Sequence, residues 1–268
     1  MKPISLWWWR WQYPKELNFG DEVTAPLLER ITGRPVRHSE PGEADIVGAG
    51  SVLVGLLKGN PRRFPAIWGS GFMRPYTHAL RDDLRVSALR GRLSAEHFPQ
   101  DRRQQIALGD PGLLAHLLVD GRVRKRYAVG VIPHYKDKSE PAVGAMRGLS
   151  DQVRLIDVAW TPEEVAREIA ACEVVISSSL HGMIFADALG VPNAHLRLSE
   201  RVGGARHGLF KYRDYYSAFG AERQHDPWSP DDVAGLSVER LVGRVQDRFR
   251  PPVGLDALQR GLLQSVPV

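Results

Sequence analysis

A short apolar run that stops at glycine or serine and then gives way to an amphipathic stretch recurs along this chain. Ile4 to Trp9 is an aromatic and β-branched run that suits a buried strand. It leads through "QYPKELNFGDE" to a predicted helix with Val23, Leu27, Leu28 and Ile31 on one face and Gly33 as its stop. "ADIVGAGSVL" and "FPAIWGSGF" repeat the pattern, "RVSALRG" reads as another strand, and "LGDPGLLAHLL" as a turn entering a helix. After "DGRVRKR" the pattern restarts. "YAVGVIPHY", "VRLIDVA", "EVVISSS" and "PNAHLRL" read as strands, and "TPEEVAREIAA" and "GMIFADALG" as helices. Thr161, Pro162 and Glu164 spell a capping box with proline at the first helical position. Strands alternating with helices, with glycine at the strand ends, predict a parallel α/β architecture. The restart divides it into two Rossmann-like, doubly wound halves, residues 1–122 and 123–268. "SVERLVGRVQDRF" and "LDALQRGLL" add C-terminal helices, the last placed to cross back to the first half.

Open α/β sheets bind ligands beyond the carboxyl ends of their strands, at topological switch points. That directs attention to Asn18–Glu22, Gly48–Ser51, Gly69–Gly71, His134–Lys136 and Ser177–Gly182, which can converge on a cleft between the halves. The segment "ISSSLHG" carries the densest chemistry. As a hydrolase it lacks the G-x-S-x-G elbow, and a histidine two residues after the serine is badly placed to be its base. As plain structure, the serines cap the next helix and His181 is satisfied by backbone. As an anion site, the helix N-terminus and the hydroxyls of Ser177, Ser178 and Ser179 hold phosphate or carboxylate, with His181 alongside to move a proton. "FKYRDYYSAFG" adds Lys211 and Arg213. It follows "RVGGARHG", a cationic loop able to close over an anionic ligand. "GAGS" and "WGSG" bring backbone N–H groups close to a ligand, but neither completes G-x-G-x-x-G, which argues against a dinucleotide. His134 ends its strand either as a solvated loop residue or as a catalytic one.

Composition narrows the partners. The chain has 268 residues, and 36 basic against 31 acidic residues leave a net charge of +5. That suits a phosphorylated or carboxylated ligand, or an anionic surface, but the bases are too scattered for nucleic acid. Cys172 is the single cysteine, which excludes an intramolecular disulfide and a cysteine-based zinc site and reads as an ordinary buried thiol. No metal-ligand cluster is evident, so no metal and no cofactor are expected. No apolar stretch reaches membrane-spanning length, and "ISLWWWRW" is too short for a span and lacks a signal-peptide cleavage pattern. It is read as a buried first strand, with lipid contact the lesser reading. A cytoplasmic enzyme is the expectation.

Taken in order, "NFGDE", "GAGS", "WGSG", "GVIPHY" and "VVISSSLHGMIFADALGVP" resemble the polysaccharide pyruvyltransferase family. "FKYRDYYSAFG" resembles a segment of its exopolysaccharide ketal-pyruvate branch. The resemblance covers roughly residues 18–220. It implies a glycosyltransferase-B-like pair of domains with the active site in the interdomain cleft. Phosphoenolpyruvate would be the donor, on the residue 123–268 side, and the product a pyruvate ketal on a sugar. The acceptor would be a lipid-linked oligosaccharide or growing surface glycan, on the residue 1–122 side, with the enzyme at the inner face of the membrane. On this reading His181 and His134 are catalytic, while Ser177, Ser178, Ser179, Gly182, Lys211 and Arg213 bind the donor. Asn18, Asp21, Gly50, Ser51, Ser70 and Gly71 bind the acceptor. Many relatives carry arginine where this chain has Ser179, and Arg197, Arg201, Lys211 or Arg213 would replace it. A nucleotide-sugar-dependent glycosyltransferase of the same fold and a non-catalytic glycan- or anion-binding module are the rival readings.

Overall fold

The apolar runs assemble into two parallel sheets. The computed structural model describes residues 1–10, 17–202, 209–220 and 226–268. The first sheet holds β1 (Ile4–Trp7), β2 (Val36–His38), β3 (Ile46–Val47), β4 (Ala66–Trp68), β5 (Val86–Leu89) and β6 (Ala107–Leu108). Their order is β2-β1-β3-β4-β5-β6. The second holds β7 (Tyr127–Ile132), β8 (Val153–Leu155), β9 (Cys172–Ser177) and β10 (Asn193–His195), in the order β10-β9-β7-β8. Every named strand pair is parallel. In each sheet the chain first steps to one side of its starting strand and then crosses to the other. The switch points therefore fall between β1 and β3 and between β7 and β9, where ligand crevices form.

Local signals account for most boundaries. The helix Thr24–Thr32 buries Leu27 and Leu28 and ends at Gly33 with φ 65°, a left-handed position that glycine fills without a Cβ clash. Thr161 and Glu164 make the expected capping box for the helix Pro162–Ala170. Two expectations shift. β1 stops at Trp7, and Trp8 is then fixed edge-on to His38 with ring centroids 4.6 Å apart. The helix expected from Gly182 already begins at Leu180, which puts His181 inside its first turn. The "DPGLLAHLL" stretch is a 3₁₀ helix, Pro111–Leu118, capped by the Asp110 side chain, which accepts from Gly112 N–H at 2.9 Å.

One buried core joins both sheets. Leu6, Ile46 and Trp68 from the first share it with Ile132, Val175 and Ile184 from the second half, with Leu113 and Leu114 of the 3₁₀ helix among them. The C-terminal helix Leu255–Gln264 closes against this junction: Trp68 Nε1 donates to Leu262 O at 3.1 Å, and Gln259 Nε2 donates to Leu113 O at 2.8 Å. Cys172 is buried, and burial together with nearby Glu168 pushes its thiol up to about 12, so the thiolate needed for reactivity is scarce. Among the described residues no helix is long and apolar enough to cross a membrane.

Candidate functional site

A cavity of about 280 Å³ opens between the carboxyl ends of the two sheets. The turn after β1 contributes Asn18 and Asp21, and the turn after β3 contributes Gly50 and Ser51. His134 comes from the end of β7, Ser179 and His181 from the end of β9, and Lys211 from the helix Phe210–Ser217. Both switch points thus face one space. Trp9, 44% exposed, and Met73 stand at its edge.

The glycines of the first wall make close approach possible. A Cβ on Gly20 would lie 2.0 Å from His181 Nδ1, so only glycine lets that ring lie against the turn. Gly50 has φ 104°, and a Cβ there would meet Asp21 Oδ1 at 2.9 Å. Asn18 Oδ1 caps the short helix Phe19–Glu22 by accepting from Gly20 N–H. Burial pushes the Asp21 carboxyl up to about 6, against the opposing pull of His181 and Lys211.

The three serines of "ISSSLHG" divide their work. Ser177 Oγ accepts from Ser179 N–H at 3.0 Å and lies within 2.9 Å of the Ile132 carbonyl. Ser178 Oγ accepts from His134 N–H at 2.9 Å, which ties the end of β9 to the end of β7. Both hydroxyls are spent on backbone. Ser179 alone lines the cavity, at the N-cap of the helix Leu180–Ala188, and its side chain makes no capping bond. Gly182 is packed against Ser177, where a Cβ would come within 2.4 Å of its Oγ.

His181 is 8% exposed and Lys211 7%. The His181 ring stands T-shaped to Phe19, and its Nε2 is 3.6 Å from Asp110 Oδ2. Burial, reinforced by the Arg90 guanidinium and offset by Asp21, pulls the Lys211 ammonium down to about 8. Burial, then Lys211 and Lys136, pulls the His134 imidazole down to about 2. His134 Nδ1 accepts from Lys136 N–H at 3.2 Å, which leaves the neutral ring's proton on Nε2.

Of the four cations weighed as replacements for the arginine, Arg197 pairs with Glu200 and Arg201 with Glu140. Arg213 is exposed and off the cavity. Lys211 lines the cavity and has no carboxylate partner within 4 Å among the described residues. Ser70 and Gly71 lie behind the wall: Ser70 Oγ donates to Gly50 O at 2.8 Å, and Gly71 makes room for the Arg90 guanidinium. Residues 203–208, which hold most of the loop expected to close over the ligand, lie outside the described residues, as do residues 11–16.

Two further strand-end residues, Arg90 and Asp110, carry no motif that marks them in the sequence. Arg90 follows β5 in "ALRG" and is fully buried. It donates from Nη1 to Ser51 Oγ at 2.6 Å, from Nη2 to Phe72 O at 2.6 Å and from Nε to Asp214 Oδ2 at 3.0 Å. Asp214 also accepts from Ser94 N–H and Oγ–H, each at 2.7 Å. This network fastens the helix that carries Lys211 to the first sheet. Asp110, beyond β6, is the second. Among the described residues no group of three His, Cys, Asp or Glu side chains is placed to hold a metal ion.

A doubly wound α/β protein with an anion-suited cavity between two strand-end walls is a recognisable class, and its sequence narrows that class to one family. The model of the family described as "Polysaccharide pyruvyl transferase" matches residues 7–200, and the chain belongs to that family. An uncharacterized protein of Acanthamoeba polyphaga mimivirus is 32% identical over 217 residues, 79% of this chain and 74% of its own length. The succinoglycan biosynthesis protein ExoV of Rhizobium meliloti is 27% identical over 225 residues, 82% of this chain. This chain spans 65% of ExoV's length.

Proposed function

We propose that this chain transfers pyruvate from phosphoenolpyruvate to two hydroxyls of one sugar, as a cyclic ketal. The acceptor on this reading belongs to a lipid-linked oligosaccharide or growing surface glycan, met at the inner face of the membrane. The two sheets act as glycosyltransferase-B-like halves, residues 1–122 on the acceptor side and 123–268 on the donor side, and the protein needs no metal and no cofactor. The observation that carries the reading is Lys211, a buried cation without a carboxylate partner among the described residues, sharing one cavity with Ser179 at a helix N-terminus and with His181. Phosphoenolpyruvate brings a phosphate and a carboxylate, and a helix N-terminus with a desolvated ammonium is suited to such charges.

In this mechanism His181 gives a proton to C3 of the enol, and C2 gains oxocarbenium character. One sugar hydroxyl attacks C2 and gives its proton to Asp21, whose raised pKa keeps it basic enough to accept near neutrality. The C2–O bond to phosphate breaks, inorganic phosphate leaves with the proton held by Asp21, and the second hydroxyl attacks C2 to close the ring and returns its proton to His181. His134, held neutral, donates a hydrogen bond from Nε2–H to the donor instead of taking a proton. The acceptor ring lies against Trp9 at the cavity's edge. Thermal stabilisation tests the donor: phosphoenolpyruvate raises the melting temperature and nucleotide-sugars do not. The reverse result would assign the chain a nucleotide-sugar donor.

A further inference from the structure

His181 and Asp110 face each other with two of the buried polar atoms that lack a hydrogen-bond partner among the described residues. Asp110 Oδ2 and His181 Nε2 are both buried, and neither has a hydrogen-bond partner among the described residues. They are 3.6 Å apart, just beyond hydrogen-bond length. Leaving a buried carboxylate oxygen without a donor is costly, and His181 Nε2–H is the donor facing it.

Helix capping does not explain this carboxylate. The cap uses only Oδ1, which accepts from Gly112 N–H. Asparagine or serine would serve that bond equally well. The second oxygen is what distinguishes aspartate here, and it points at the histidine. The surroundings hold the pair in line. Phe19 meets the ring edge-on with centroids 6.2 Å apart, and Gly20 leaves space on the Nδ1 side. The 3₁₀ helix that Asp110 caps packs against the helix that carries His181, so both side chains ride on one rigid contact. Among the described residues the charged groups facing the ring are Asp110, Asp21 from the turn after β1, and Lys211 from the helix Phe210–Ser217.

We infer that Asp110 is the positioning residue for His181, holding its Nε2–H so that Nδ1, on the side of the Asn18–Asp21 turn, is the atom that exchanges a proton in the cavity. The inference rests on the assignment of His181 as the proton donor to phosphoenolpyruvate. In the imidazolium both nitrogens carry protons. Nδ1 releases its proton to C3, and the neutral ring that remains keeps Nε2–H on Asp110. Catalytic hydrogen bonds commonly shorten when substrate is bound, which accommodates the 3.6 Å separation.

The test uses Asp110→Asn, which keeps the shape and the Gly112 cap but turns an amide N–H₂ toward Nε2. That inverts the tautomer, and the analogous change in the serine protease triad is strongly inactivating. With ¹⁵N-labelled histidine, and His181 assigned by the signal lost in His181→Gln, the neutral wild-type ring should carry its proton on Nε2. In Asp110→Asn it should move to Nδ1. Turnover should fall by about 10²-fold or more while KM for phosphoenolpyruvate stays near the wild-type value. A wild-type ring protonated on Nδ1, or an Asn variant with unchanged tautomer and near-normal turnover, overturns the assignment. The wild-type tautomer decides the matter even if the variant fails to fold. The tautomer readout does not depend on activity. A wild type that never releases phosphate from phosphoenolpyruvate would therefore defeat the functional reading separately.

Discussion

The two walls of the cavity are built from the same kind of strand end but carry opposite chemistry. The first-sheet wall is glycine turns with one acid, Asp21, and an amide, Asn18. The second-sheet wall carries hydrogen-bond donors, Ser179 and His134, and the imidazole of His181, with Lys211 beside them. On the proposed reading one wall meets neutral hydroxyls that must lose a proton, and the other meets an anion that must deliver its carbon for protonation. Lys211 complicates this symmetry, since it comes from the C-terminal half and yet its helix is locked to the first sheet by the Arg90–Asp214 pair. The walls therefore differ in charge but share one framework.

Substituting the proton carrier of the second wall breaks the comparison most sharply. His181→Ala is expected to lower turnover by about 10²–10⁴-fold with the fold intact, read by steady-state kinetics beside circular dichroism. The shared framework comes next. Asp214→Asn strands a fully buried guanidinium and should destabilise the protein by about 3–5 kcal/mol, read by denaturant unfolding. Replacing both partners, as Arg90→Met with Asp214→Leu, should recover much of that loss, because two desolvated charges then disappear together.

On the proposed reading Lys211 holds the donor. Lys211→Met is expected to weaken phosphoenolpyruvate binding by about 10- to 100-fold, the worth of a hydrogen bond to a charged group. The pH dependence has a definite sign. The ammonium loses its proton at about 8, so wild-type affinity is fullest below that pH and falls as pH rises through it. Lys211→Arg keeps its charge and should flatten that decline in a calorimetric titration. The first wall's edge is the mildest test. Trp9→Ala should raise the acceptor KM by about 2- to 10-fold and leave donor binding unchanged.

Much of the fold is legible in the sequence. The two parallel sheets follow from apolar runs punctuated by glycine, and the cavity lies where such sheets switch direction. Polar and buried features were less visible. β2 is Val36–His38, a three-residue edge strand whose arginine and histidine hide its period. The hydroxyls of Ser177 and Ser178 read as ligand groups, but a strand end also needs hydroxyls to satisfy its own backbone, and burial decides between the two uses. Arg90 and Asp110 are hidden in the sequence because an isolated charge there looks solvated. Only the fold brings Asp214 to the one and His181 to the other.

The most direct test of pyruvyl transfer is release of inorganic phosphate from phosphoenolpyruvate, followed while acceptor sugars are scanned. The account predicts release only when a sugar with a suitable pair of hydroxyls is present, stoichiometric with ketal formation and abolished in His181→Ala. Release without any acceptor, or no release across acceptors with phosphoenolpyruvate bound, would contradict it.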